Sequence, residues 1–171
     1  MSYKWIGAVF VIVACGGCGF SLAASHKREV QLLRQLRRGI QYMRNELQYR
    51  LTPLPELCRQ TGKESGGILR QIFSELAREL DNRTLPDVGD CMASAVKTCT
   101  EALPGSLRRL LLRLGRSLGR FDLNGQIRGL DAINAACEEE LLLLNKNRDI
   151  RLRNYQTLGL CAGAALVILF A

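Results

Sequence analysis

The chain is apolar at both ends and strongly charged between them. Residues 6–24 read IGAVFVIVACGGCGFSLAA, nineteen positions without a charge, and residues 158–171 read LGLCAGAALVILFA, fourteen more. A bilayer core about 30 Å thick takes roughly 20 apolar helical residues. The first run has that length, and Tyr3 and Trp5 suit the interfacial belt at its start. The second spans only if Tyr155, Gln156 and Thr157 enter the interface or the bilayer thins locally. The expectation is a transmembrane helix over 5–24, a soluble helical bundle over 25–155 and a C-terminal transmembrane helix over 156–171. A buried core helix is the other reading of the second run.

Two rival readings concern the first run. Lys4 makes a thin positive region for a removable signal, and no clean A-x-A site follows. Ile12-Val13-Ala14-Cys15 resembles a bacterial lipobox, and cleavage there would leave Cys15 lipidated and the domain outside the cytoplasm. The apolar run continues nine residues past Cys15, which fits a spanning helix better.

Flanking cations set the expected orientation. His26, Lys27 and Arg28 follow the first run, and Lys146, Arg148, Arg151 and Arg153 precede the second, so both flanks belong on the cytoplasmic side. The connecting residues 25–157 hold 23 of the 24 Lys and Arg against all 16 acids, a net of +7. A segment of this length can be translocated despite its charge, so the rule gives only a lean.

Seven cysteines do not read as a disulfide framework. Cys15, Cys18 and Cys161 fall in the apolar runs, and Cys58, Cys91, Cys99 and Cys137 are scattered through helical patterns, as small buried hydrophobes are. Cys15-Gly-Gly-Cys18 has redox spacing without a thioredoxin-like context. One histidine and scattered thiols do not make a zinc site.

Between the apolar ends the pattern is all-α. The four prolines, Pro53, Pro55, Pro86 and Pro104, fall between helical patterns, and no strand-like alternation occurs. Leu33, Leu36, Ile40, Met43 and Leu47 make one stripe on a helix over 27–50. A short helix is expected over 54–60, ended by Gly62 and Gly66-Gly67. A third carries Leu69, Ile72, Phe73, Leu76 and Leu80 and stops at Asp81-Asn82. Asp87 is placed to cap a fourth with Cys91, Met92, Ala95 and Cys99 inward. Pro104 opens a fifth. There Leu107, Leu110, Leu111, Leu114 and Leu118 take one side, and Arg109, Arg113, Arg116 and Arg120 gather on the other at 100° per residue. Gly119 ends it, and Asp122 caps a last helix of about fifty residues, roughly 75 Å if unbroken. Leu123, Ile127, Leu130, Cys137, Leu141 and Leu144 give that helix a heptad-like seam.

Motifs with chemistry are scarce. Gly62-Lys63 lacks the preceding glycine and following hydroxyl of a phosphate loop, and a single histidine at the membrane edge supports no Ser–His–acid set. Glu138-Glu139-Glu140 reads as a solvated helix face. The arginine face of the fifth helix is the best interaction candidate, for an acidic partner or anionic lipid heads, although charge runs are usually just solvated surface. It lacks the interleaved aromatics of a nucleic-acid stacking platform. No enzyme, cofactor, metal or small-molecule substrate is expected, since a basic cluster without a general base supplies no route to a reaction.

Several segments in order carry a family resemblance. They are Trp5-Ile-Gly-Ala-Val-Phe-Val-Ile at the start, Glu46-Leu-Gln-Tyr49 followed by Thr52-Pro53-Leu54 and Glu56, and Leu158-Gly159 opening the last apolar run. Between them Leu114-Gly115, Leu118-Gly119, Asp122 and Gln126 match an L-G-x-x-L-G-x-x-D-x-x-x-Q pattern. Over essentially its whole length the chain resembles the stage III sporulation protein AB family of endospore-forming bacteria. The Cys15-Gly-Gly-Cys18 element departs from what the family leads one to expect. The resemblance implies a platform subunit of a complex spanning the two membranes around the engulfed forespore. It also implies a fold similar to the cytoplasmic domain of type II secretion and type IV pilus platform proteins. The partners it implies are the operon's secretion-type ATPase and small membrane proteins. The location it implies is the mother cell's outer forespore membrane, with the soluble domain in the cytoplasm. Arg109, Arg113, Arg116 and Arg120 are then the docking candidates, and Glu46, Thr52, Pro53, Leu54, Gly115, Gly119, Asp122 and Gln126 the structural motif positions. The alternative kept beside this is a lipoprotein or signal-anchored helical interaction domain facing outward.

Overall fold

Prolines and apolar stripes divide the chain much as their chemistry requires. In the computed structural model the backbone is described for residues 2–83, 85–99, 103–119 and 122–170, and side chains for 26–83, 85–99, 103–119 and 122–146. Six helices and no strand occur among the described residues: α1 (Ser2–Tyr49), α2 (Leu54–Glu64), α3 (Gly67–Asn82), α4 (Val88–Thr98), α5 (Gly105–Ser117) and α6 (Leu123–Phe170). Pro53 and Pro104 stand just before α2 and α5, and Pro86 lies in the α3–α4 loop. Pro55 sits inside the first turn of α2, where its missing N–H removes no helical hydrogen bond.

The expected stripes are buried as sets. Leu33, Leu36, Ile40, Met43 and Leu47 of α1 meet Leu69, Ile72, Phe73 and Leu76 of α3 in one core that also takes Leu107, Leu110, Leu111 and Leu114 of α5. The chain winds from α1 through α2, α3, α4 and α5 to α6, each packed on the next, and α6 closes the ring against α1. Among the described residues the α6 helix touches only α5 and α1, so it keeps an outward face. Its seam differs in detail from the expected one. Leu130, Cys137 and Leu141 are buried, Ile133 joins them, and Leu123 stands 37% exposed at the helix start.

Helix ends show where local chemistry departs from pattern. The α2 helix continues past Gln60 to Glu64, through Gly62, which is buried. A Cβ at Gly62 would lie 3.3 Å from the Phe73 Cβ, so this glycine permits close approach of α3 and does not stop the helix. Asp87 holds the N-cap position of α4, yet its carboxylate makes no cap hydrogen bond. Its backbone carbonyl instead accepts the N–H groups of Asp90 and Cys91, both at 3.1 Å. Asp122 does cap α6: its Oδ1 accepts the Gly125 N–H at 3.1 Å.

The α3 helix closes on Arg83, exposed and left-handed at φ 51°, with its N–H on the carbonyls of Glu79 and Leu80. Glycine is the residue that adopts this conformation without Cβ strain. Arg83→Gly is therefore expected to stabilise the domain by about 1 kcal/mol, a rise of about 3 °C in a thermal melt.

Three acids of α6 are paired with its neighbours. Glu138 lies 3.4 Å from Arg37 and Asp131 lies 2.7 Å from Arg44, both on α1, while Glu140 lies 3.3 Å from Arg109 on α5. Glu138 and Glu140 thus reach to the two flanking helices, while Glu139 between them stays on the solvated face. Such part-exposed pairs contribute only about 0–1 kcal/mol each. They do set register: seven residues forward on α1 correspond to seven back on α6, so the two run antiparallel. The N-terminal end of α1 and the C-terminal end of α6 therefore leave the bundle on the same side.

Among the described residues no helix is long and apolar enough to cross a membrane. The spans expected over 5–24 and 156–171 lie outside the residues whose side chains are described.

Candidate docking face

The motif positions gather at the end of the bundle opposite to where α1 begins and α6 finishes. There α1 ends and Leu51 turns left-handed at φ 52°. The Thr52 hydroxyl donates to the Glu46 carboxylate at 2.9 Å, and the Arg50 guanidinium lies 3.4 Å from its other oxygen. Pro53 then starts α2, its carbonyl accepting the Leu57 N–H at 2.9 Å. Glu46, Thr52 and Pro53 together fix a sharp corner between two helices. Leu54 packs on the core just beyond it.

A second corner abuts the first. Gly119, left-handed at φ 80°, ends α5, and a Cβ on it would sit 2.6 Å from Val88 Cγ2 and 3.9 Å from Leu54 Cδ2. Gly115 lies one turn earlier, where α5 crosses α4. Its Cβ would be 2.5 Å from Met92 Cβ and 3.3 Å from the Gly89 Cα. Asp122 caps the next helix, and its carbonyl accepts the Gln126 N–H at 2.9 Å. Leu114 and Leu118, each just before one of these glycines, are buried. The pattern thus has a physical content: leucines for the core, glycines for one close crossing and one left-handed break, and an aspartate cap.

The arginine face rises from this end down α5. Gly105–Ser117 contains Arg108, Arg109, Arg113 and Arg116 and no acid, and all four arginines are exposed. Arg109 leans onto Glu140 of α6. Arg116 lays its stem over Gly89, with Cγ 3.3 Å from where a Cβ there would be. Arg113 stands between them. Arg120 lies outside the described residues, beyond the end of α5 at Ser117. The helix face is therefore carried by Arg109, Arg113 and Arg116. Arg108 was not among the expected positions, although the absence of any acid in this helix was a visible signal.

A polar chain ties α1, α2 and α3 on another side. The Tyr42 hydroxyl donates to Gln60 Oε1 at 2.6 Å, and Gln60 Nε2 donates to Glu56 at 3.1 Å. Arg59 bridges Glu56 and Asp81. Hydrogen bonds from Gln60 and Arg59 hold the Glu56 carboxyl below the usual carboxylate range. Burial raises the Tyr42 phenol.

Three buried thiols are deactivated. Burial pushes Cys58 up to about 12 and Cys137 up to about 11, and raises Cys91 as well. Nucleophilic cysteines need the opposite shift. Among the described residues no group of three or more His, Cys, Asp or Glu side chains could hold a metal ion. In the folded chain Cys58 and Cys137 are expected to resist maleimide at neutral pH, with half-buried Cys99 reacting first. Mass spectrometry of alkylated peptides, with and without denaturant, measures this order.

The family model for stage III sporulation protein AB matches residues 4–171, nearly the whole chain. The chain belongs to the stage III sporulation protein AB family. Stage III sporulation protein AB of Bacillus subtilis (strain 168) is 28% identical over 174 residues, covering 97% of this chain and 98% of that protein. A solved structure of a stage III sporulation protein AB has the same fold, with TM-score 0.64 at 22% identity over 72% of this chain and 98% of the other. These relatives bear the name of a sporulation protein and not of an enzyme. The residues expected as motif positions build the two abutting corners, and the arginines of α5 stand beside them.

Proposed function

We propose that this family member is a membrane-anchored platform of the mother cell–forespore channel complex needed for endospore formation. The observation that carries the reading is the antiparallel pairing of α1 and α6. Each helix is 48 residues long, and each continues from the bundle toward an uncharged run. Two such helices leaving one side would hold the domain in a fixed orientation on the cytoplasmic face of the mother cell's outer forespore membrane. The opposite end, with its tightly built corners, and the arginine face of α5 would then be presented to the cytoplasm. The docking partner in this reading is the operon's secretion-type ATPase, which α5 meets through acidic surface. The operon's small membrane proteins are the partners proposed within the bilayer.

Cysteine labelling tests the arrangement. Lys97 is exposed near the end of α4, whereas buried Cys58 cannot report on topology. In intact mother cells Lys97→Cys is expected to escape a membrane-impermeant maleimide until the membrane is opened. Labelling before opening would sink the platform reading in favour of an outward-facing domain, and a lipid on Cys15 with loss of the preceding residues would identify it as a lipoprotein.

A further inference from the structure

A groove of about 540 Å³ runs between the outward faces of α1 and α6. Its cationic wall is Arg34, Arg37 and Arg38 of α1, and its opposite wall is Glu138, Leu141 and Leu142 of α6. Glu138 is engaged by Arg37 at 3.4 Å. Arg34 and Arg38 are exposed, one helical turn apart, and form no ion pair among the described residues. Leu141 floors the groove, and Leu142 stands 65% exposed at its edge. A leucine this exposed on a helix facing an already packed bundle has no role in the core. The groove therefore combines two spare guanidiniums at i, i+4 spacing with an apolar strip.

We infer that the α1–α6 groove seats an acidic amphipathic helix of a partner protein, its carboxylates on Arg34 and Arg38 and its apolar edge on Leu142. Two carboxylates one turn apart match two guanidiniums one turn apart, and guanidinium forks bind carboxylates in pairs of hydrogen bonds. A third helix laid along α1 and α6 would cover the outward face that α6 lacks a neighbour for. A second copy of the chain is a poor fit, because Glu138 and Glu140 of its α6, the acidic run that could meet Arg34 and Arg38, are already paired with Arg37 and Arg109. Anionic lipid is a poor fit by distance, a point that rests on the membrane reading above. At 1.5 Å per residue Arg34 and Arg38 lie about 15 and 21 Å past residue 24, and Leu142 about 21 Å before residue 156. The headgroup layer is only about 5–8 Å deep on each side of the core.

The test uses the full chain in the membranes of sporulating cells, with a photo-cross-linking residue in place of Leu142. The expected product is a covalent adduct with a helical, acidic segment of another protein, mapped by mass spectrometry. Arg34→Glu with Arg38→Glu is expected to reduce its yield at least tenfold, while Arg34→Lys with Arg38→Lys keeps most of it. Lys63→Glu with Arg70→Glu, exposed on α2 and α3 and outside both arginine faces, is expected to leave it unchanged. An adduct with lipid, with a second copy, or with a basic or neutral segment overturns the inference, as does absence of any adduct. Equal loss with the Lys63 and Arg70 variant also overturns it, because the signal would then be bulk charge. Labelling of Lys97→Cys from outside would remove the platform reading without touching the groove result, so the two fail separately.

Discussion

Replacing Gly115 by alanine is expected to destabilise the domain by about 1–2 kcal/mol, and replacing it by leucine by about 3 kcal/mol or more. Two effects compete in the alanine case. Alanine is the better helix former by about 1 kcal/mol, which favours the variant. Against this, the new Cβ would meet the Met92 Cβ at 2.5 Å and the Gly89 Cα at 3.3 Å. These atoms belong to or adjoin backbone, so the clash is relieved only by moving α4 away from α5. Overpacking of this kind costs about 1–3 kcal/mol with one added carbon, and three more carbons have nowhere to go. Gly105 supplies the control in the same helix. A Cβ there meets nothing within 4 Å, so Gly105→Ala is expected to be neutral or stabilising by up to about 1 kcal/mol. Opposite shifts in melting temperature for the same substitution at the two ends of α5 would establish that the motif glycine serves a helix crossing. If both variants gain stability, Gly115 has another reason to be there.

The helices were legible because their apolar positions recur at helical spacing and their ends are marked by proline, glycine and aspartate. Leu33 to Leu47 and Leu107 to Leu118 entered the core as sets, as their spacing requires. What was not legible depends on a partner distant in sequence. Gly62 looks like a stop in isolation and is a contact for Phe73 in the fold. Gly115 looks like a weak point in a helix and is the crossing with Met92. Glu138 and Glu140 look solvated until α1 and α5 are placed on either side of them. Leu51 turns left-handed without being glycine, and only the Glu46–Thr52 hydrogen bond beside it shows how that corner is held. The candidate docking surfaces differ in how far the sequence shows them. The α5 arginines were read from periodicity, whereas Arg34 and Arg38 emerge only when α6 brings Leu142 beside them.

Reversing the charge of the α5 face should be the largest functional effect. Arg113 and Arg116 are exposed and make no ion pair among the described residues, so their reversal should leave the fold intact. Arg109→Glu sets like charge against Glu140, a stability cost of at most about 1 kcal/mol at this exposed site. For binding, each reversal replaces an attraction by a repulsion. For exposed charges that stay in water, screened by salt, that amounts to about 1 kcal/mol per site. The three together are expected to weaken an acidic partner by about 3 kcal/mol, roughly a hundredfold in Kd. The loss should shrink as salt is raised, since screening removes the attraction in the wild type as well.

The direct measurement is binding of the detergent-solubilised full chain to the purified secretion-type ATPase proposed above as its partner. It should be made at low and physiological salt, with thermal melts run in parallel. The platform account predicts saturable binding by the wild type, and a roughly hundredfold weaker Kd for Arg109→Glu, Arg113→Glu, Arg116→Glu at a melting temperature within a few degrees. Unchanged affinity in a folded triple variant, or no binding by the wild type, would contradict it.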